Sequence, residues 1–190
     1  MSPRVGVVAL QGAFAAHLAV LDRLGVDGVA LRRPGDLVGC DALIWPGGES
    51  TTMSKLAVSS GMFDTVAERL AEGLPALGTC AGLIMFASTI DDGRSDQRCF
   101  GAIDAEIRRN AYGRQIDSFH VDLDVRGLDA PFFATFIRAP RVERVGAGVE
   151  VLASLDGHAV ALRDGAVMAT TFHPELGGDD RFHRLFLERA

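Results

Sequence analysis

Short, continuous apolar runs alternate with segments of helical periodicity through the first half of this 190-residue chain. The apolar runs, which we interpret as strands, lie at residues 5–10, 28–31, 41–45 and 75–78. The helical patterns lie at residues 13–24, 50–56, 62–70 and 81–87. Strands that are apolar throughout, rather than at every second position, are typical of a parallel sheet covered on both faces. The first half therefore predicts an α/β fold.

The second half differs, because segments of strand character now follow one another after a polar stretch at residues 91–98. These predicted strands lie at residues 103–108, 119–125, 135–137, 149–155, 159–162 and 167–171. Gly157-His158 and Asp164-Gly165 separate the last three and indicate hairpins. A final helix is predicted over residues 180–188. We expect a single flavodoxin-like domain over residues 1–190, with three layers (α/β/α), a mostly parallel central sheet and an antiparallel extension.

Composition and charge argue against several classes of protein. Lys plus Arg number 19 and Asp plus Glu 25, and this net charge of −6 does not fit a dedicated nucleic-acid binder. No apolar stretch approaches the roughly 18 residues of a membrane span, and the N-terminal run lacks the form of a signal peptide. The three cysteines cannot all pair, which points to a reducing compartment. We expect a soluble, cytoplasmic protein.

Gly-Thr-Cys-Ala-Gly at residues 78–82 lies between a predicted strand and a predicted helix, with the spacing of a nucleophile elbow. In such a turn the glycines let the backbone pass close to a strained nucleophile. Cys80 would lie at a helix N-terminus, where the dipole favours the thiolate. On spacing alone, a nucleophile and a small buried hydrophobic residue are equally good interpretations of Cys80. Cys40 and Cys99 have no such setting and are interpreted as structural.

His173 and Glu175 follow the last predicted strand and are candidates for the base and the orienting group that a thiolate nucleophile needs. If the strand continues to its tip, side chains two positions apart emerge on the same side, with His173 facing Cys80 and Glu175 behind it. The histidines at positions 17, 120, 158 and 183 are interpreted as solvated or structurally satisfied. A His/Glu pair is also a possible metal site, but no third ligand lies at useful spacing, so we expect no metal.

Pro-Gly-Gly-Glu-Ser-Thr-Thr at residues 46–52 connects a predicted strand to a predicted helix. Consecutive glycines before a helix can aim backbone N–H groups at a phosphate or an oxyanion. The segment lacks the lysine of a P-loop and does not fit Gly-x-Gly-x-x-Gly, so it does not indicate nucleotide binding. Taken alone it is a simple loop with Ser50 or Thr51 as helix N-cap. Beside a nucleophile elbow at the same sheet edge, an oxyanion and substrate loop is the better interpretation.

The glycine loop, the cysteine elbow and His-x-Glu, in that order, resemble the class I, triad-type glutamine amidotransferases. Several blocks resemble, more specifically, the family of glutaminase subunits of pyridoxal 5'-phosphate synthase, and they extend over essentially the whole chain. These are Val-Val-Ala-Leu-Gln-Gly at 7–12, Pro-Gly-Gly-Glu-Ser-Thr-Thr-Met at 46–53, Gly-Thr-Cys-Ala-Gly at 78–82, Arg-Asn at 109–110, Gly-Arg-Gln-Ile-Asp-Ser-Phe at 113–119, Phe-Ile-Arg-Ala-Pro at 136–140 and Phe-His-Pro-Glu-Leu at 172–176. The elbow is specific only to the class, whereas the glycine loop and the blocks at 113–119 and 136–140 are specific to the subfamily.

The resemblance implies a triad of Cys80, His173 and Glu175 that hydrolyses glutamine to glutamate and ammonia through a thioester, without a cofactor. It implies glutamine binding by Gly47, Gly48, Glu49, Arg109, Ile137 and Arg138, and an oxyanion hole at Gly48 and Ala81. An arginine is the expected partner of the substrate α-carboxylate, because its planar guanidinium pairs with a carboxylate in bidentate fashion. The neighbouring Arg108 is expected to be an ordinary surface arginine.

The resemblance also implies a partner. Ammonia would pass to a TIM-barrel synthase subunit, in a large ring-shaped hetero-oligomer, that builds pyridoxal phosphate from a pentose phosphate and a triose phosphate. The glutaminase of such assemblies is poorly active until it docks, and Gln11 and Gly12 are the candidate residues for sensing docking. No nucleic-acid or membrane partner is implied.

Three alternatives stay open at this point. The first is a glutaminase subunit that serves another synthase, such as one of histidine or nucleotide biosynthesis, and the subfamily blocks argue against it. The second is a cysteine peptidase or chaperone-like hydrolase on a flavodoxin-like fold, which would place its elbow similarly but would not need the glutamine-binding blocks. The third is a non-catalytic binding subunit, which an intact set of Cys80, His173 and Glu175 makes improbable.

Overall fold

The computed structural model describes residues 2–109 and 118–190, which are organised around one large sheet. In chain order the strands are β1 (Arg4–Val8), β2 (Asp27–Leu31), β3 (Ala42–Trp45), β4 (Ala76–Thr79), β5 (Ala87–Ile90), β6 (Ile103–Arg108), β7 (Phe119–Leu123), β8 (Phe132–Phe136), β9 (Arg141–Val145), β10 (Glu150–Leu155), β11 (His158–Asp164) and β12 (Val167–Thr170). The helices are α1 (Phe14–Arg23), α2 (Ser50–Ser60), α3 (Met62–Ala71), α4 (Ala81–Phe86) and α5 (Arg181–Leu187), with a 3₁₀ helix at Pro34–Leu37. Within the described ranges, no helix has the length and apolar character needed to cross a membrane.

The large sheet has seven strands in the order β10-β11-β12-β4-β3-β1-β2. The five strands from β12 to β2 run parallel to their neighbours. β11 and β10 extend the sheet with antiparallel pairing. The predicted α/β fold, with a mostly parallel sheet and an antiparallel extension, is therefore confirmed. Both predicted hairpins are also present, with Gly157 in the turn before β11 and Gly165 in the turn before β12.

Both faces of the sheet are buried, which explains why the parallel strands are apolar throughout. In β3, Leu43 and Trp45 belong to the core that includes residues of α2, α3 and α4. Ala42 and Ile44, which point the opposite way, belong to the core that includes residues of α1 and α5. Because alternate side chains of one strand enter different cores, a polar residue at any of these positions would be buried.

Two small sheets accompany the large one. The sequence pattern did not distinguish their strands from those of the large sheet. One contains β5, β6 and β9, and the other pairs β7 with β8. The sequence predicts neither β5 nor β9, because neither contains an apolar run. In β9 three of the five residues are charged and only Val142 is buried. Such strands form because a neighbouring strand supplies the pairing, so local composition does not reveal them.

Some element boundaries also differ from those expected. β1 ends at Val8 rather than at residue 10, and α2 continues to Ser60 rather than ending near residue 56. β8 begins at Phe132, three residues before the predicted start. β12 ends at Thr170. The last boundary has a consequence for the site, because it determines how His173 is presented.

Helix α4 packs directly on the sheet backbone, and two glycines make this possible. A Cβ atom on Gly82 would lie 2.1 Å from the carbonyl oxygen of Trp45 in β3. A Cβ atom on Gly78 would lie 2.7 Å from the carbonyl carbon and oxygen of Gly82. Real Cβ atoms do not approach backbone this closely, so these positions exclude any side chain. The close packing brings the start of α4 to the carboxyl end of β4.

We predict that Gly82→Ala lowers the free energy of unfolding by about 3 kcal/mol, the upper end of the usual cost of overpacking, because α4 must move away from β3. Gly148→Ala is the matched control, since a Cβ atom there meets nothing within 4 Å, and its effect should stay within about 0.5 kcal/mol. Urea denaturation of both variants measures the difference. Equal stabilities would show that the contact between Gly82 and Trp45 is not needed.

Candidate active site

Cys80 occupies a strained turn between β4 and α4. Its backbone has φ 51° and ψ −103°, a region that residues with side chains rarely adopt and that costs about 1–3 kcal/mol. The Cys80 N–H donates to the Thr170 carbonyl at 2.8 Å, and the Cys80 carbonyl accepts from the Leu83 N–H at 3.1 Å. The side chain is mostly buried, with 8% exposure. This is the geometry of a nucleophile elbow.

His173 and Glu175 lie in the turn that follows β12, and not on the strand itself. The expectation that the strand continues to His173 is wrong, since β12 ends at Thr170 and Pro174 cannot donate to a strand ladder. The His173 N–H instead donates to the Thr135 carbonyl in β8, at 2.8 Å. The turn nevertheless brings the two side chains together, with 2.6 Å between His173 Nδ1 and Glu175 Oε1.

The electrostatics of this pair favour a protonated histidine. Burial disfavours the charge on His173, but its interactions with Cys80 and Glu175 outweigh burial and raise the pKa of His173 to about 10. Burial also opposes ionisation of Glu175, yet the neighbouring imidazoles of His17 and His173 lower the pKa of that carboxyl. His173 is therefore an imidazolium at neutral pH, placed between a carboxylate and the Cys80 sulfur.

The glycine loop lies close to both Cys80 and His173. A Cβ atom on Gly47 would lie 2.5 Å from His173 Cε1 and 3.3 Å from Cys80 Cβ. A Cβ atom on Gly48 would lie 2.4 Å from Gln11 Oε1. Each glycine therefore allows an approach that any other residue would block.

One hydrogen bond orients the peptide between the two loop glycines. The Gly47 carbonyl accepts from the Ala13 N–H at 2.9 Å, and Gly12, with φ 96°, lies against the same oxygen. In a trans peptide the carbonyl and the following N–H point in opposite directions, so the Gly48 N–H points away from Ala13. Ala81 is the first residue of α4, where an N–H has no acceptor within the helix. Gly48 and Ala81 are the two residues expected at the oxyanion hole.

Gln11 and Glu49 hold the other side of the loop. Gln11 Oε1 accepts from the Glu49 N–H at 2.9 Å, which connects the segment after β1 to the glycine loop. The Glu49 carboxylate caps α2 by accepting from the N–H groups of Thr51 and Thr52, at 3.0 and 2.7 Å. Interpreting Ser50 or Thr51 as the N-cap is therefore wrong, because α2 begins at Ser50 and its cap is Glu49. A carboxylate at this helix end also complements the helix dipole.

Arg109 lines the same cavity next to Thr51, and protein groups hold its guanidinium. The guanidinium donates to Thr51 Oγ1 at 2.5 Å, to Gln97 Oε1 at 2.8 Å and to the Asp92 carbonyl at 3.0 Å. The sequence did not point to Gln97, which lies in a polar stretch without a motif. By contrast, Arg108 forms surface ion pairs with Asp91 and Glu143, as expected for an ordinary arginine.

Ile137 and Arg138 reach the site from the end of β8. The Ile137 carbonyl oxygen lies 4.0 Å from Cys80 Sγ. Arg138 has φ 46°, a second non-glycine residue in the left-handed region at the site, and its side chain is exposed. Such strained backbone is common where a loop must present groups to a ligand.

These residues surround a cavity of about 440 Å³. Its lining includes the following residues from the sequence prediction: Gly12, Gly47, Gly48, Glu49, Cys80, Ala81, Arg109, Ile137, Arg138 and His173. Gln11 and Glu175 contact lining residues from behind. Asn110 and residues 113–117, which carry two of the sequence blocks, lie outside the described residues. Within the described ranges, no group of three or more His, Cys, Asp or Glu residues is arranged to hold a metal ion.

The sequence interpretation of His17 missed its position beside Glu175. His17 is fully buried on α1, and its Nε2 lies 3.5 Å from Glu175 Oε2. The signal was present, because residues 14, 17, 18 and 21 share one helix face. A histidine on an otherwise apolar face needs a buried polar partner, and here the fold supplies Glu175.

The family model described as the SNO glutamine amidotransferase family matches residues 7–190. The pyridoxal 5'-phosphate synthase subunit PdxT of a Nocardioides species is 54% identical over 192 residues, which cover 98% of this chain and 96% of that protein. PdxT of Mycobacteroides abscessus is 54% identical over 188 residues, covering 99% and 97%. A crystal structure described as that of a glutamine amidotransferase superposes with a TM-score of 0.92 at 49% identity, covering 97% of each chain.

PurLQS from Thermotoga maritima is more distant, with a TM-score of 0.75 at 18% identity and 99% coverage of each chain, and this likeness shows the fold alone. A parallel sheet with a cysteine elbow, a glycine loop and a His-Glu pair at one edge defines the class of triad-type glutamine amidotransferases. Within that class, the chain belongs to the SNO glutamine amidotransferase family.

We predict that iodoacetamide at pH 7 modifies Cys80 before Cys40 and Cys99. Burial raises the pKa of the Cys40 and Cys99 thiols, whereas Cys80 lines the cavity beside a charged imidazole. His173→Gln should slow the modification of Cys80 by about tenfold or more, because the positive charge beside the sulfur is lost. Peptide mass spectrometry over time measures each rate. Faster labelling of Cys99 in the folded wild-type protein would contradict this assignment.

Proposed function

We propose that this chain hydrolyses L-glutamine to L-glutamate and ammonia, with Cys80 as nucleophile, His173 as general acid and base, and Glu175 as the orienting carboxylate. The observation that carries the proposal is geometric: His173 is held by Glu175 at 2.6 Å and lines one cavity with Cys80, which lies on a strained elbow. Membership of a glutamine amidotransferase family supports the same reaction.

In the first half of the reaction the Cys80 sulfur attacks the side-chain amide carbon of glutamine. A C–S bond forms and the carbonyl electron pair moves to oxygen, where the N–H groups of Gly48 and Ala81 stabilise the negative charge. His173 then gives its proton to the amide nitrogen as the C–N bond breaks. Ammonia leaves, and a γ-glutamyl thioester remains on Cys80.

In the second half, water replaces ammonia. Neutral His173 takes a proton from the water while its oxygen attacks the thioester carbon. The C–S bond breaks, glutamate leaves, and the thiolate and the imidazolium are restored. Glu175 stays ionised throughout, and its bond to Nδ1 keeps Nε2 as the nitrogen that exchanges the proton with Cys80 and the leaving group.

The cavity walls suit the rest of the glutamine molecule. Arg109 and Arg138 supply positive charge for the substrate α-carboxylate, and Gly47, Gly48, Glu49 and Ile137 supply the remaining contacts. Arg109 is the better defined of the two arginines, since Thr51 and Gln97 fix its guanidinium. A guanidinium that is already oriented loses less conformational entropy when it binds a carboxylate.

The ammonia serves a synthase that makes pyridoxal 5'-phosphate. The supporting fact is that the relatives at 54% identity, which match almost end to end, are named as subunits of pyridoxal 5'-phosphate synthase. We infer that a TIM-barrel synthase subunit, in a ring-shaped hetero-oligomer, is the partner, and that residues 1–190 act as one cytoplasmic glutaminase domain. A glutaminase that serves another synthase is less well supported, because the likeness to PurLQS is at the level of the fold.

We predict that glutamate release from glutamine rises several-fold or more when a pyridoxal 5'-phosphate synthase core is added. Cys80→Ala should lower this rate at least about a thousandfold, as expected when the nucleophile of a triad is removed. Cys40→Ala is the matched control, because Cys40 is a buried cysteine that does not line this cavity. Equal rates with and without the core would contradict the partner, and a Cys80→Ala variant that keeps its rate would contradict the mechanism.

Gln11 and Gly12 are proposed to sense docking, because both contact the oxyanion loop, Gln11 from behind the cavity wall and Gly12 at the wall itself. We predict that Gln11→Ala changes the core-stimulated rate at least about fivefold, since the loop loses the bond from the Glu49 N–H. One exposed hydrogen bond contributes about 1 kcal/mol or less to stability. Denaturation should therefore show a small loss of stability, and a large loss with no change in stimulated rate would contradict this role.

A further inference from the structure

A buried chain of polar side chains continues from the triad into the interior of the fold. Glu175 Oε2 lies 3.5 Å from His17 Nε2, which also lies 3.2 Å from Thr79 Oγ1. His17 Nδ1 in turn lies 2.9 Å from His183 Nε2 on α5. His17, Thr79 and His183 are fully buried, and Glu175 is nearly so. Four separate elements meet here, on the side of Glu175 that faces away from His173.

The geometry allows one consistent arrangement of the protons. One proton lies between His17 Nδ1 and His183 Nε2. If His17 carried it, His17 Nε2 would have no proton and would present a lone pair to the Glu175 carboxylate. His183 would then carry its own proton on Nδ1, where this buried donor has no acceptor among the described residues. If His183 carries it, His17 Nδ1 accepts, and the His17 Nε2–H donates to Thr79 Oγ1 at 3.2 Å with Glu175 Oε2 close by at 3.5 Å. The second arrangement satisfies more groups.

The charges around the cluster fit two neutral imidazoles. Burial lowers the pKa of both His17 and His183, for His183 to about 3. The groups that face the pair are Glu175 and His173 on one side and the Asp180–Arg23 ion pair beyond His183 on the other. A neutral imidazole provides one donor and one acceptor, and the proton arrangement above needs one of each from His17.

We propose that His17 is a positioning residue of the triad: its Nε2–H holds Glu175 Oε2, so that Oε1 stays directed at the Nδ1–H of His173. This rests on the proposed function, since it assigns a role in the same hydrolysis. His17 is not among the residues that line the cavity. It acts through Glu175, and His183 fixes its tautomer. Glu175 Oε2 is buried and accepts no hydrogen bond among the described residues, and His17 Nε2, 3.5 Å away, is the group that faces it. Removing His17 would leave the carboxylate freer to rotate.

The test compares two substitutions at position 17. His17→Gln keeps an N–H close to the position of Nε2, whereas His17→Phe keeps the size of the side chain and removes the donor. With the synthase core present, His17→Phe should lower kcat by about 10- to 100-fold, the range usual for residues that orient a functional ligand, with little change in KM. His17→Gln should recover most of this loss. His158→Gln, at an exposed histidine, is the matched control.

A second readout does not depend on glutamine turnover. Weaker support of Glu175 lowers the pKa of His173. The midpoint of the alkaline limb of the pH profile of Cys80 alkylation, where His173 loses its proton, should therefore move to lower pH in His17→Phe and stay near wild type in His17→Gln. A purely structural role for His17 would lower the folded fraction and leave this midpoint in place. An unchanged midpoint in folded His17→Phe would overturn the proposal.

The tautomer can be measured in the wild-type protein, which covers the case in which His17→Phe does not fold. Nitrogen-15 NMR of labelled histidine should show His17 protonated at Nε2 and not at Nδ1. Protonation at Nδ1 would overturn the proposal even if glutamine hydrolysis is established. The opposite result is also distinguishable. If His17 shows the Nε2–H tautomer but the wild-type protein hydrolyses no glutamine with the core, the proposed glutaminase function is wrong.

Discussion

The strained backbone at Cys80 is the constraint on which the rest of the site depends. A cysteine at φ 51° persists because packing on both sides holds it. Gly82 rests on the Trp45 carbonyl, Gly78 rests on Gly82, and the Cys80 N–H bonds to Thr170. β4 lies inside the sheet with both of its faces buried, so the turn cannot relax without separating α4 from the strands. Core packing therefore stabilises a conformation that the cysteine would not adopt alone.

The register of two neighbouring strands then brings Cys80 and His173, the proposed nucleophile and base, to one edge. β12 pairs with β4 in parallel, with Thr170 opposite Thr79, so the residues that follow both strands emerge side by side. Cys80 begins a helix there, and His173 lies in a turn that Thr135 holds from β8. Ligand sites of open α/β sheets lie at this carboxyl edge for the same reason. Because the whole sheet sets the register, the fold and not the local sequence positions the three residues of the proposed triad.

Local spacing was enough to predict the elbow, the glycine loop and the parallel sheet, because each depends on glycines and apolar runs close in sequence. Features that depend on distant partners were missed or misread. β9 is charged and forms by pairing with β6, and Glu49 displaced the expected cap because the loop turns it back on α2. His17 was interpreted as a solvated or structurally satisfied imidazole, since its relation to Glu175 exists only after α1 packs beside the loop that follows β12. The His-x-Glu pair was found for a partly wrong reason, because a turn and not a strand brings its members together.

The most direct test of the central claim is to locate the nucleophile with a chloroketone analogue of glutamine, which binds as the substrate does and alkylates the attacking sulfur. Peptide mass spectrometry would be combined with the residual rate of glutamate release. The structure predicts one label per chain on Cys80, loss of activity in proportion to labelling, and protection by glutamine. Loss of activity with the label on Cys40 or Cys99, or full activity with Cys80 labelled, would contradict the assignment of Cys80 as the nucleophile.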